Sequence, residues 1–174
     1  YNETKQHLEE NLIQYFGDYD ISQTDHICEV IRMKATLDIA NKTTYMPVAL
    51  CGYMLVVDDQ PSAESLAVMK QYSQIMPVIA MPHMGVEYRP TGEDEKVTAY
   101  HAVIDAGADV VIGAHPHVIQ NSENYKGRLI VYSTGNFLYD QQILGRDNTL
   151  GLGVGIALRV DDQQAIDAYT TIGA

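Results

Sequence analysis

Positive charge is what this sequence has least of. Eleven Lys and Arg stand against 23 Asp and Glu, a formal net charge of −12 over 174 residues. A surface this acidic repels polyanions and anionic lipid, which excludes non-specific nucleic-acid binding. No apolar run approaches the roughly 18–20 residues that a membrane-spanning helix needs. Cysteine is limited to Cys28 and Cys51, in neither a CxxC pair nor a disulfide framework. The expectation is two free thiols, Cys51 in a buried strand, with a single disulfide as the alternative. Internal repeats, low-complexity tracts and linkers rich in Pro, Gly or Ser are absent from the sequence. The first residue is Tyr1 and no signal-peptide pattern follows it, as expected of a processed product or a piece of a longer protein.

What remains is a globular composition, 46% apolar and 20% charged, with length enough for one domain and a core. Asn2 is placed to cap a helix whose Leu8, Leu12, Tyr15 and Phe16 follow helical spacing, ending near Gly17. Cys28 to Met33 and Ala35 to Ala40 read as strands. Asn41-Lys42 reads as a hairpin turn before the β-prone stretch Thr43 to Val57, with Pro47 marking an edge or a bulge. Pro61 to Ile75 reads as a helix capped by Ser62, with Leu66, Met69 and Ile75 inward. Pro77 to Met81 is a short continuous apolar run, as in a strand buried on both faces. Asp94 to Ala106 reads as a helix stopped by Gly107. Asp109 to Gly113, Leu129 to Ser133, Gly153 to Val160 and Ala165 to Thr171 complete the expected strands. Helix and strand alternate from about 61 to 113, which implies right-handed parallel units. With antiparallel ends, the sum is an α/β sandwich with a mixed sheet.

Three of the six histidines follow predicted buried strands: His83 after Val78 to Met81, His115 and His117 after Val110 to Gly113. Open α/β sheets bind ligands beyond the carboxyl ends of their strands. Pro116 stiffens the turn between His115 and His117. Imidazoles diverging at a strand end can serve two ions a few ångströms apart; the plainer reading is three hydrogen-bonded structural histidines. An anionic substrate would need positive charge concentrated locally, and a metal would supply it. His101 reads as a structural helix residue, and His7 and His26 as surface or loop residues. Glu87, four residues after His83, admits four readings: a ligand, a partner fixing an imidazole tautomer, a general acid or base, or a plain loop carboxylate. Asn136, in Ser133-Thr134-Gly135-Asn136-Phe137, either bonds the histidine loop, faces a substrate or closes an Asx turn.

Four segments occur in a fixed order: His83-Met84-Gly85-Val86-Glu87-Tyr88, Ile104-Asp105-Ala106-Gly107-Ala108-Asp109, Gly113-Ala114-His115-Pro116-His117-Val118 and Tyr132-Ser133-Thr134-Gly135-Asn136-Phe137. Together they closely resemble the CapA family of capsule synthesis, the poly-γ-glutamate biosynthesis proteins. The likeness is dense over residues 77–140, and Gly52-Tyr53 matches a Gly-Tyr pair upstream. It implies a calcineurin-like metallophosphatase fold, a β-sandwich flanked by helices with a dinuclear site at the strand ends. His83 and His115 would serve one metal and His117 the other, with Glu87 and Asn136 as catalytic candidates. The family commonly has Trp where this chain has Met84. Its first half carries a Gly-Asp strand end, an Asn/Glu segment and an Asn-Asn-His motif that have no counterpart here. Residues 1–174 are therefore expected to be the C-terminal two-thirds of one domain, its N-terminal part missing.

Three neutral imidazoles suit a divalent transition metal, Mn, Fe or Zn. Two cations held close together without a bridging carboxylate repel strongly, so one ion at best, or two weakly, is expected here, and a dinuclear centre in an intact domain. The resemblance implies a metal-dependent hydrolase or transferase in cell-envelope polymer synthesis, acting on an anionic polymer or phosphoryl substrate at the extracellular face of the membrane. The alternative is a non-catalytic scaffold subunit of a membrane polymer-synthesis or export complex. A chain lacking early strands would expose a sheet edge, so an oligomer, or a partner chain carrying the missing part, is also expected.

Overall fold

A computed structural model describes residues 2–17, 26–37, 42–56, 59–137 and 149–158. The elements are α1 (Asn2–Glu10), β1 (Cys28–Leu37), β2 (Lys42–Met54), α2 (Ala63–Ser73), β3 (Val78–His83), α3 (Asp94–Asp105), β4 (Val110–Ile112), β5 (Ser122–Tyr125) and β6 (Arg128–Val131). Six strands form one mixed sheet in the order β1-β2-β3-β4-β6-β5. Its centre, β2-β3-β4-β6, is parallel, and β1 and β5 join antiparallel at the two ends. This is the expected mixed α/β architecture, consistent with a metallophosphatase-like fold.

The parallel centre follows from local chemistry. Ser62 caps α2, its Oγ accepting from the Ser65 backbone N–H at 3.1 Å, a bond worth roughly 1 kcal/mol. α3 ends where Gly107 turns left-handed at φ +119°. Asp109 then accepts from the Val78 N–H at 2.9 Å and pairs with Arg128, tying β3, β4 and β6 together. One sheet face carries Ala49, Cys51, Val78, Ala80, Val111 and Ile130. These pack with Met69 of α2 and with Ala99, Tyr100, Val103 and Ile104 of α3. On the other face, Gly52, Met54, Met81 and Ile112 border a cleft of about 480 Å³, with Phe16 and Gly17 packed against Gly52.

Several expectations are corrected. Cys28 and Cys51 are joined in a disulfide rather than free; the antiparallel register sets them directly opposite on β1 and β2. The first helix ends at Glu10, not near Gly17. Leu12 adopts φ +55° while its N–H bonds Glu9 O and the Ile13 N–H bonds Leu8 O, a Schellman ending built without glycine. Leu12 is consequently 92% exposed. Cys28–Leu37 is one strand rather than two. Beyond Ser73, Met76 turns inward in place of Ile75. Residues 153–158 are irregular rather than a strand. The 165–171 strand and the tip of the β1–β2 hairpin lie outside the described residues. Pro47 meets the edge expectation locally, because β3 pairs with β2 only from Ala49 onward.

Candidate functional site

The parallel pairing of β3 with β4 brings the three histidines to one rim. His83 is the last residue of β3, and a bridge to Ala114 carries the pairing past the end of β4. Ala114 is held on both sides, its N–H donating to Pro82 O at 3.0 Å and its carbonyl accepting from Met84 N–H at 3.1 Å. The chain then turns sharply, with His115 at φ +102° and His117 at φ +59°. These are uncommon values for residues with a Cβ.

His83 Nε2 and His115 Nδ1 stand 3.1 Å apart, with their rings edge to face. His117 faces the other way. Its Nδ1 donates to Asn136 Oδ1 at 2.8 Å, and Asn136 Nδ2 donates back to His117 O at 3.3 Å. Asn136 thus bonds the histidine loop, one of its expected roles, and selects the His117 tautomer with its proton on Nδ1. Glu87 Oε1 lies 3.8 Å from His117 Nε2, and the Tyr88 ring stacks on His117 at 6.0 Å. All five sequence candidates, His83, Glu87, His115, His117 and Asn136, therefore meet at one rim.

Burial, the two neighbouring histidines and Lys96 hold the His83 imidazole below its usual pKa. His115 is lowered by burial, His117 and Lys96 against the opposing pull of Glu87. Both therefore favour the neutral, lone-pair-bearing form. That form is what a transition metal takes, and ~2.1 Å bonds to one ion at the tetrahedral angle leave two nitrogens about 3.4 Å apart. The His83–His115 pair fits half of such a site. Among the described residues, no three His, Cys, Asp or Glu side chains gather closely enough to hold an ion. Remaining ligands would have to come from elsewhere.

Sequence reasoning missed what lies beneath the rim. Lys96, on α3, is fully buried, and burial lowers its pKa to about 8 against the opposing effect of Glu93. Its Nζ donates to Gln120 Oε1 at 2.9 Å. Both carboxylate oxygens of Glu93 are buried with no hydrogen-bond partner among the described residues. A signal existed: Lys96 shares the helical stripe of Ala99, Tyr100 and Val103, all buried, so a charge sits where the pattern calls for an apolar residue. His101 is structural as expected, facing Glu123 at 3.1 Å and stacked on Tyr125. His7 is exposed on α1, and His26 sits in a turn beside Tyr15.

The profile of the family described as "Bacterial capsule synthesis protein PGA_cap" matches residues 2–141. The chain belongs to this capsule synthesis family. Among its relatives, the PGA biosynthesis protein CapA of Bacillus subtilis is 44% identical over 64 residues, 37% of this chain and 17% of that protein. The capsule biosynthesis protein CapA of Bacillus anthracis is 42% identical over 64 residues, 37% of this chain and 16% of its own length. An uncharacterized protein of Sinorhizobium fredii, y4sH, is 34% identical over 101 residues, 56% of this chain and 22% of its own. The chain thus spans about a sixth to a fifth of the length of these relatives. The five rim residues all fall inside the PGA_cap match.

Proposed function

We propose that this chain carries the histidine rim of a metal-dependent hydrolase or transferase that acts in the synthesis of an anionic capsule polymer, poly-γ-glutamate or a close chemical relative. The observation that carries this reading is the meeting of His83, His115 and His117 at the ends of β3 and β4, with two nitrogens 3.1 Å apart and a third lone pair turned toward Glu87. Membership of the capsule synthesis family and the names of the two Bacillus relatives support the polymer.

His83 and His115 would hold one divalent ion, Mn, Fe or Zn, and His117 Nε2 would face a second position. A bound ion supplies Lewis-acid polarisation of a phosphoryl or carboxyl oxygen and an activated water. The protein's own part is orientation and proton handling. Asn136 fixes the His117 tautomer. Glu87, beside His117, is placed to take or return a proton as general base or acid. A bridging carboxylate, not found beside the histidines among the described residues, would come from another part of the protein or from a partner chain. The disulfide supports an oxidising location, in keeping with the extracellular face of the cell membrane and a membrane polymer-synthesis complex.

A second reading, a non-catalytic scaffold of that complex, is favoured by the lack of a third ligand among the described residues. Metal content separates the two. The purified chain is analysed by plasma mass spectrometry beside His115→Ala and His117→Ala. About one Mn, Fe or Zn per chain, lost in His115→Ala, supports the metal-dependent reading, and phosphodiester hydrolysis by the longer protein is then the next assay. No metal after reconstitution favours the scaffold.

A further inference from the structure

We infer that Gln120 and Lys96 form a buried clamp that positions Glu87 and Tyr88 over the histidines, a role that rests on the proposed metal-dependent reading of the rim. Between β3 and α3 the chain runs from Met84 to Glu93 without helix or strand, and Glu87 and Tyr88 ride on it. Few bonds hold it. The Tyr88 N–H donates to Pro116 O at 2.7 Å. Gln120 Nε2 donates twice, to Arg89 O at 2.9 Å and to Thr91 O at 3.0 Å. Its Oε1 accepts from Lys96 Nζ, and its backbone N–H is bound to Ser133 O.

Every amide function of Gln120 is therefore used, and the orientation is determined from both sides. An ammonium can only donate, so the amide oxygen must face Lys96. Carbonyls can only accept, so the NH₂ must face the loop. Gln120 is itself buried, and losing either set of bonds would leave polar groups unsatisfied.

Lys96 is an expensive residue for mere packing, because burying an ammonium is costly and an apolar side chain of its length would fill the space. What it adds is a direction for the Gln120 amide. It also lies directly under the loop: a Cβ on Gly85 would meet Lys96 Cδ at 3.1 Å and Nζ at 3.2 Å. The loop needs such anchoring. Tyr88 is held at φ +63° opposite His117 at φ +59°, and strained residues persist only where their surroundings over-determine them. Gln120 is thus a positioning residue, acting on the site through Arg89 and Thr91.

The test uses Gln120→Glu, which keeps the shape and the Lys96 contact but cannot donate to two carbonyls. Two readouts are taken on the metal-free and metal-loaded chain. The first is amide hydrogen exchange at Tyr88, with Val111 in β4 as the internal control. Exchange at Tyr88 is expected to rise about tenfold while Val111 is unchanged. The second is a double-mutant cycle with Glu87→Ala, read as Mn²⁺ and Zn²⁺ affinity. Glu87→Ala alone is expected to weaken binding about tenfold, because it removes the negative charge beside His115 and His117, and to add little in the Gln120→Glu background. Unchanged exchange at Tyr88, or losses that multiply, overturns the clamp. If the unaltered chain binds neither ion, the metal-dependent reading fails, and the exchange result alone decides the clamp. If Gln120→Glu does not fold, Lys96→Met replaces it, with the same readouts and outcomes.

Discussion

His83 Nε2 lies 3.1 Å from His115 Nδ1, across the ends of two parallel strands. Only one proton fits between two imidazole nitrogens at that separation, so the pair cannot be doubly charged without moving apart. Burial and neighbouring positive charge lower both groups, with His117 and Lys96 acting on each and His115 acting also on His83.

Acid should therefore destabilise the metal-free protein earlier than ordinary histidines would. With folded pKa values below the unfolded value near 6.5, the unfolded chain binds more protons just beneath that value. Stability from this pair is complete above pH 6.5 and falls as pH drops below it. The urea midpoint is expected to fall between pH 6.5 and 5. His115→Ala removes one group and one cause of the other's shift, so its profile over that range should be flatter.

Asn136 should govern the His117 tautomer. With Asn136 accepting from Nδ1, ¹⁵N spectra should show a protonated Nδ1 and a bare Nε2 at neutral pH. Asn136→Ala removes the acceptor, so the spectrum should move toward a mixture of tautomers. The fold should lose only about 1 kcal/mol, the net worth of a typical hydrogen bond. An unchanged spectrum in the variant would show that something else fixes the ring.

Reduction should weaken the domain from the β1–β2 side. Cys28 and Cys51 are both buried in the main cluster and span 23 residues. Closing a loop of that size is worth roughly 3 kcal/mol. Guanidinium unfolding with and without reductant should differ by about that amount. Cys28→Ala with Cys51→Ala should match the reduced protein, apart from the small loss of sulfur volume.

Gly113→Ala should be far more damaging than an ordinary glycine replacement. A methyl there would overlap the Tyr132 carbonyl oxygen and the Tyr100 hydroxyl, one of them backbone. Tyr100 is fully buried and its hydroxyl donates to Pro82 O, so neither neighbour can step aside. A cost of about 3 kcal/mol or more is expected, seen as a lowered melting temperature. Gly127→Ala meets nothing within 4 Å and pays only for its left-handed backbone.

The parallel centre was legible because each element carried its own signal. Ser62 announced α2, Gly107 ended α3, and the apolar runs at 78–81 and 110–112 read as buried strands. The rim was legible for the same reason: histidines placed just beyond such runs have nowhere else to go. β5 was not, since Ser122-Glu123-Asn124-Tyr125 has no apolar face. Only the Lys126-Gly127 turn, both residues at positive φ, hints at a hairpin. The end of α1 was hidden because Leu12 takes the role usually given to glycine. The disulfide depends on hairpin register, and spacing alone does not encode which residues face each other. Gln120 and Lys96 were missed because a clamp is a property of three segments at once.

Tyr88 marks a compromise between endurance and accuracy. Its left-handed backbone opposite His117 opposes folding by roughly 1–3 kcal/mol, a cost glycine would largely avoid. A population selected only to survive heat would drift toward glycine at this position and lose the ring that lies on His117. Folding tolerates that cost only as far as burial elsewhere in the domain offsets it. How far such strained positions can accumulate around the rim is therefore set by the core and the disulfide, well away from it.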